Sequence, residues 1–325
     1  MNLSMKNIFS IIDNSYKKDI MVNKLTNTNE SIIILGPTAT GKTNLAVQLA
    51  KKYNAEIISA DSRQIYKYLD IGTGKDLEEY QLNNQKINYH LINIINPNEN
   101  YSVYNFQRDF VRSYKKIKKN KKKCIICGGT GLYIESLLLN YDLSASPPPN
   151  LELRKQLSQK SFDDLKKYFK KVNKNIIKSP KIDTKNRIIR NIEICLNKKI
   201  NSKPIDILPI KNYRVIGIFP SREVVRNNIT KRLNERLENG MIEEVEFLLK
   251  NHINHDRLNY FGLEYRFISR YLNKLYTKQE LFENLNSAIH QFAKKQMTFF
   301  RRMEKRNIKI EWIKKNNINE IKKLI

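Results

Sequence analysis

Four consecutive apolar residues, Ile32-Ile33-Ile34-Leu35, stop at a glycine, and a run of that length predicts a strand buried on both faces. A helical pattern follows over 43–53, then strand-like segments at 56–59, 92–95 and 124–127, with a helix over 103–119 between the last two. Alternation at this pitch predicts an α/β fold, a parallel sheet flanked by helices. Pro147-Pro148-Pro149 interrupts it, and Leu151, Leu153, Leu157, Leu165, Tyr168 and Phe169 then recur at helical spacing in a Lys-rich stretch running to about 178, which predicts a small all-helical insertion. A helix over 187–195 and a strand over 214–219 predict a return to the core. Two long amphipathic helices close it, 223–250 with a break at Gly240 and 278–303. The expected organisation is a loose polar extension over 1–28, a core built from 29–140 and 186–325, and an inserted helical domain over 141–185.

The glycine that ends the first strand begins Gly36-Pro37-Thr38-Ala39-Thr40-Gly41-Lys42-Thr43, a full G-x-x-x-x-G-K-[ST] phosphate loop set between strand and helix. The backbone N–H groups of such a loop and the N-terminal end of its helix attract a di- or triphosphate. Lys42 is placed to reach the terminal phosphate, and the Thr43 hydroxyl to bind Mg²⁺. The expected core is therefore a P-loop NTPase-like sheet, whose ligands gather at the carboxyl ends of the strands, where Gly36, Asp61 and Gly128 fall.

The 325 residues carry 60 Lys and Arg against 32 Asp and Glu, a net charge of +28 that suits a polyanionic partner. Asn, Ile and Lys are abundant throughout, as in coding sequence drifting toward A and T, so the surplus admits nucleic acid without requiring it. Cys124, Cys127 and Cys195 are too few for a disulfide framework, and Cys124-Ile125-Ile126-Cys127 reads as two small strand residues rather than a zinc or redox pair. No segment has the apolar length of a membrane span and no secretory leader is evident, so a soluble cytoplasmic protein is expected.

Asp61, at the end of the second predicted strand, has three available jobs: Mg²⁺ ligand, general base, or helix cap. Asp70-Ile71-Gly72-Thr73-Gly74-Lys75 supplies another glycine-rich turn with a lysine beside the pocket. The strand 124–127 ends in Gly128-Gly129-Thr130, where a nucleotide hydrolase would carry an acidic metal ligand, which speaks against a motor or switch ATPase.

The segments GPTATGKT, DSRQIYKYLDIGTGK, YHLINIINP, GGTGLYI, NRIIRNIE and AKKQMTFFRR, in this order between about Ile32 and Arg302, closely resemble the tRNA dimethylallyltransferase (tRNA isopentenyltransferase, IPP transferase) family. The resemblance implies transfer of a dimethylallyl group from dimethylallyl diphosphate, with Mg²⁺, to the N6 amine of the adenosine 3′ of the anticodon (position 37) in tRNAs reading codons that begin with U. It implies that Gly36 to Thr43 hold the diphosphate, with Lys42, Thr43 through Mg²⁺, and Arg232 neutralising the leaving group. It makes Asp61 the general base and assigns tRNA contacts to Asp61, Ser62, Arg63, Gln64, Thr130, Asn186, Arg187, Ile188, Ile189 and Arg190. The helical insertion becomes a lobe closing over tRNA, and the protein a monomer of the shorter form, without a zinc finger after Arg302. Tyr260 to Tyr265 fall where the family has another tRNA-facing segment, and read equally well as core. The chain departs from the family pattern at Asn186, in place of Gln in a tRNA-contacting segment, and in two loops beside the site: Tyr89 in place of the first of two histidines, and Gly74-Lys75-Asp76 in place of Ala-Lys-Pro. A P-loop kinase of a nucleoside or small metabolite, and prenylation of free adenine nucleotides, remain as alternatives.

Overall fold

The structure, a computed structural model, describes residues 31–82, 84–143, 147, 149–174, 176–177, 180–197, 210, 212–315 and 318–322. The extension expected over 1–28 and the middle proline of the 147–149 run lie outside the described residues. Six strands form one parallel sheet: β1 (Ser31–Leu35), β2 (Ala55–Ser59), β3 (Tyr89–His90), β4 (Lys123–Gly128), β5 (Tyr213–Ile218) and β6 (Glu311–Ile313), in the order β3-β2-β4-β1-β5-β6. Strand β1, apolar from Ile32 on, lies near the middle and is buried along its whole length, as a strand covered on both faces must be. Helix α1 (Lys42–Tyr53) buries Leu45 and Leu49, one turn apart, in a cluster with Ile34 and Ile57 of the sheet.

Register brings the chemistry level. Leu35 pairs with Gly128 and Ser59 with Cys127, and the Ala60 and Thr130 amides continue the ladder to Cys127 O at 2.8 Å and Ala60 O at 3.2 Å. The loops after β1, β2 and β4 therefore leave the sheet side by side.

The strand expected over 92–95 is displaced. Pairing ends at His90, and beyond it only Ile95 bridges to Tyr66. Leu91 (φ 62°) and Asn93 (φ 56°) adopt left-handed backbone, which no ladder can continue; Ile92 is apolar because it is buried, not because it pairs.

After α2 (Val103–Lys119) and α3 (Gly131–Leu138) comes a separate compact unit, 141–206. Its helices α4 (Leu151–Ser158), α5 (Phe162–Asn173) and α6 (Lys185–Leu196) are capped by Asn150, Ser161 and Thr184. The expected boundary at 185/186 is corrected here. Helix α6 belongs to the helical unit because Ile188, Ile189 and Ile192 complete a core with Leu157, Leu165 and Phe169 that α4 and α5 alone would leave open. Buried Glu193 adds a polar hub, accepting from Arg154 Nε (2.6 Å), Arg190 Nη1 (2.9 Å) and the Asn150 amide (3.0 Å).

The remaining helices rejoin the sheet unit: α7 (Arg222–Glu238), α8 (Met241–Lys250), α9 (His255–Phe261), α10 (Leu263–Leu272), α11 (Lys278–Glu304) and α12 (Ile318–Lys322). Gly240, at φ 94°, makes the expected break between α7 and α8. No described helix is long and apolar enough to cross a membrane.

Candidate active site

A cleft of about 970 Å³ opens at the carboxyl end of the sheet. Thr38, Ala39, Gly41, Lys42 and Thr43 line it from the phosphate loop, Asp61 to Gln64 from the end of β2, Thr130 from the end of β4, and Arg232 from α7. Gly36, Pro37 and Thr40 are buried behind that lining. Gly41 (φ 75°) takes the left-handed turn into α1. Inside the loop, the Pro37 carbonyl accepts from Lys42 Nζ at 2.6 Å and from Thr40 Oγ1 at 2.9 Å. Burial pulls the Lys42 ammonium from its ordinary 10.5 down to about 8; Arg232 adds to the drop, while Cys127 and Asp61 oppose it.

Asp61 caps no helix, which removes one of its three expected jobs. Its Oδ1 accepts from the Arg63 amide at 2.9 Å, closing a tight turn, and its second oxygen has no partner among the described residues. Thr130 braces that turn: its Oγ1 accepts from the Ser62 amide at 3.0 Å and lies 3.3 Å from Ser62 Oγ. Gln64 bonds within the protein at both ends of its amide, Oε1 accepting from Ser59 Oγ (3.1 Å) and Nε2 donating to Gly74 O (3.0 Å). The Arg63 guanidinium lies 5.0 Å from the Tyr260 ring centroid, and Arg257 lies 4.6 Å from the same ring. Within 260–265, Tyr260 is exposed, while Phe261 and Tyr265 are core.

Helix α7 shows two stripes. Val225, Ile229 and Leu233 are buried; Asn228, Lys231, Arg232, Glu235 and Arg236, at spacings of three and four, line the cleft together with the C-cap Asn239. Arg232 ion-pairs with Asp76. Helix α11 presents Ile289, Phe292, Lys295, Gln296 and Phe299.

Some expectations are corrected. The side chains of Ile188 and Ile189 are buried in the core of the helical unit, and Arg190 donates to Glu193 and to Pro147 O (2.7 Å); Asn186 and Arg187 are exposed, Arg187 pairing with Asp183. Lys75 does not line the cleft. It is fully buried, and its ammonium donates to Tyr66 O (2.6 Å), Asp70 Oδ1 (2.6 Å) and Asn93 Oδ1 (2.5 Å), locking the 66–75 loop from inside. Cys124 and Cys127 are buried strand residues, as expected, with thiols pushed up to about 12 by burial.

Two braces escaped the sequence reading. Gln296 Oε1 accepts from the Thr38 amide (2.9 Å) while its Nε2 donates to Gly129 O (3.0 Å), tying the phosphate loop to the Gly-Gly-Thr turn. Glu244 accepts from three successive amides, Asp70 and Ile71 at 2.7 Å and Gly72 at 3.0 Å, and from Tyr265 Oη at 2.7 Å. Gln296 lies within the AKKQMTFFRR segment; Glu244 sits in an ordinary run of helical acids that gave no signal.

A parallel sheet whose phosphate loop shares one cleft with a partly unpartnered carboxylate and a stripe of arginines defines a P-loop-type α/β enzyme. Residues 64–303 match the model of a family described as IPP transferase. The chain is 48% identical over 297 residues to tRNA dimethylallyltransferase 1 of Azobacteroides pseudotrichonymphae, covering 90% of this chain and 96% of that one. It is 47% identical to tRNA dimethylallyltransferase 2 of Bacteroides fragilis, over 87% of this chain and 92% of that one. The crystal structure of the full-length tRNA isopentenylpyrophosphate transferase of Bacillus halodurans superposes with a TM-score of 0.64 at 27% identity, covering 91% of this chain and 94% of that one. The chain belongs to the IPP transferase family.

Proposed function

We propose that this protein transfers the dimethylallyl group of dimethylallyl diphosphate to the N6 amine of adenosine 37 in tRNAs reading codons that begin with U, giving N6-(dimethylallyl)adenosine. The observation that carries the reading is the shared cleft: an anion-binding loop, Lys42 and Thr43, faces the same space as Asp61. Family membership and the relatives' names support the same reaction.

The chemistry follows from these groups. As the bond between C1 of the donor and its bridging oxygen breaks, negative charge grows on the diphosphate, and the Lys42 ammonium with the loop amides stabilises it where it develops. The exocyclic amine attacks C1, and its proton passes to the open oxygen of Asp61, so the product amine is neutral. A flipped purine needs such a cleft, because its amine is unreachable inside a stacked anticodon loop. Mg²⁺ fits here: Thr43 offers a hydroxyl with no partner among the described residues, the hard oxygen ligand such an ion takes. Bound with the donor's oxygens, the ion would supply charge neutralisation of the leaving diphosphate. Exposed Asn186 and Arg187 of the helical unit are proposed to contact tRNA. The expected setting is the cytoplasm.

Incubation with unmodified tRNA and labelled dimethylallyl diphosphate, followed by mass analysis of digested nucleosides, tests the proposal. A mass gain on adenosine in the anticodon loop is expected. Phosphate transfer from ATP to a nucleoside without prenylation, or prenylation of free nucleotide undiminished by an anticodon stem-loop, would overturn it.

A further inference from the structure

We infer that Arg236 is a second arginine for the donor's diphosphate and that Asp76 is its resting counter-ion, a carboxylate that holds Arg232 and Arg236 at the cleft wall until the diphosphate takes its place. The inference rests on the proposed diphosphate reading of the loop cleft.

Arg236, Arg232 and Asp76 line the same cleft as Lys42 and Thr43. Arg232 Nη2 ion-pairs with Asp76 Oδ2 and lies 3.5 Å from Gly74 O. Arg236 Nη2 stands 4.0 Å from that same Asp76 oxygen, too far for a hydrogen bond, and it is buried with no hydrogen-bond partner among the described residues. A buried guanidinium nitrogen left without an acceptor is costly, and this one belongs to a residue in the wall of the cleft that the phosphate loop also lines. One carboxylate shared by two guanidinium groups leaves a positive surplus, the charge a diphosphate complements better than a carboxylate does.

The backbone is shaped to this arrangement. Gly74 has φ 60°, and a Cβ there would stand 1.7 Å from Arg236 Nη2 and 2.5 Å from Arg232 Nη2, so a side chain would evict both heads. Asp76 itself is left-handed at φ 42°, a conformation Asp and Asn tolerate best. The other charged groups lining this wall are Lys231 and Glu235 on α7, Glu79 after the turn, and Glu264 and Arg266 on α10. Of these, Glu264 attracts Arg236 more than Asp76 does, so Asp76 is the direct partner of Arg232 and only a second counter-charge for Arg236.

Calorimetric titration of the full chain with inorganic pyrophosphate and with dimethylallyl diphosphate separates the possibilities. Asp76→Asn keeps the left-handed turn and removes the competing charge. It is expected to tighten pyrophosphate binding roughly fivefold while lowering Tm, opposite signs that a purely structural residue would not give. Arg236→Gln is expected to weaken pyrophosphate binding roughly tenfold, and the gain from Asp76→Asn should shrink in the double variant. Unchanged or weaker binding in Asp76→Asn, or unchanged binding in Arg236→Gln, overturns the inference, and Arg236→Gln alone decides if Asp76→Asn does not fold. Lys42→Ala is the control. If it binds pyrophosphate as the wild type does, the reading of the cleft fails; if it weakens while the other two variants do not move, only this inference fails.

Discussion

Lys42 folds back on its own loop to donate to the Pro37 carbonyl, a weaker acceptor than a phosphate oxygen. Burial leaves that ammonium with a pKa of about 8, whereas a bound dianion would raise it. The free protein then holds fewer protons than the complex. Donor binding should therefore take up a proton near pH 8, and affinity should fall as pH rises through about 8. Titrations in two buffers of different ionisation enthalpy measure that uptake, which should vanish in Lys42→Met. For stability the sign is opposite: between about 8 and 10.5 the unfolded chain binds the extra proton, so this group's contribution improves as pH rises. At Asp61 the informative change is Asp61→Asn, which keeps an acceptor for the Arg63 amide and discards the basic oxygen. Turnover should drop about a hundredfold or more with tRNA affinity within roughly threefold of wild type. Single-turnover rates and a filter-binding curve check both, and retained turnover would remove Asp61 from the proton transfer.

At the scale of elements, the cleft is shaped in part by side chains that do not line it. Glu244 gathers three successive amides of the 70–72 turn, and the loop it anchors carries Gly74, Lys75 and Asp76. Glu244→Ala should cost about 2 kcal/mol, since those donors and Tyr265 Oη lose their acceptor. Hydrogen exchange at Asp70, Ile71 and Gly72 should accelerate before exchange in β1; uniform exchange rates would show that the turn holds itself. Little of this was legible in the sequence. The phosphate loop, Asp61 and the Gly-Gly-Thr turn could be read because local backbone geometry dictates their residue types, and the polar stripe on α7 follows from helical spacing once the helix is placed. Lys75 misled because a lysine near glycines looks solvated; its three acceptors, Tyr66 O, Asp70 and Asn93, come from turns that only tertiary structure brings together. Ile92 misled for a related reason, burial without pairing, and the helix at 185–196 because an amphipathic face does not name the core it joins.

For the whole molecule, a charge of +28 makes salt the variable that separates its two expected ligands. A diphosphate held by a few fixed groups inside a cleft is screened weakly, whereas an RNA spread over exposed lysines and arginines releases counterions, with log affinity falling by about 0.7 to 0.9 per contacted phosphate for each unit of log salt. Raising salt from about 50 to 200 mM should therefore weaken tRNA binding at least tenfold and leave pyrophosphate binding within about threefold. Arg187 tests whether the helical unit takes part. Its side chain is exposed and, among the described residues, pairs only with exposed Asp183, a pair contributing little to stability, so its removal should leave folding alone. If Arg187 meets a phosphate, Arg187→Ala reduces the tRNA salt slope by about one and leaves pyrophosphate affinity unchanged. An unaltered slope would confine RNA recognition to other residues and leave α6 as scaffold, its inner face already committed to the core through Ile188, Ile189 and Ile192.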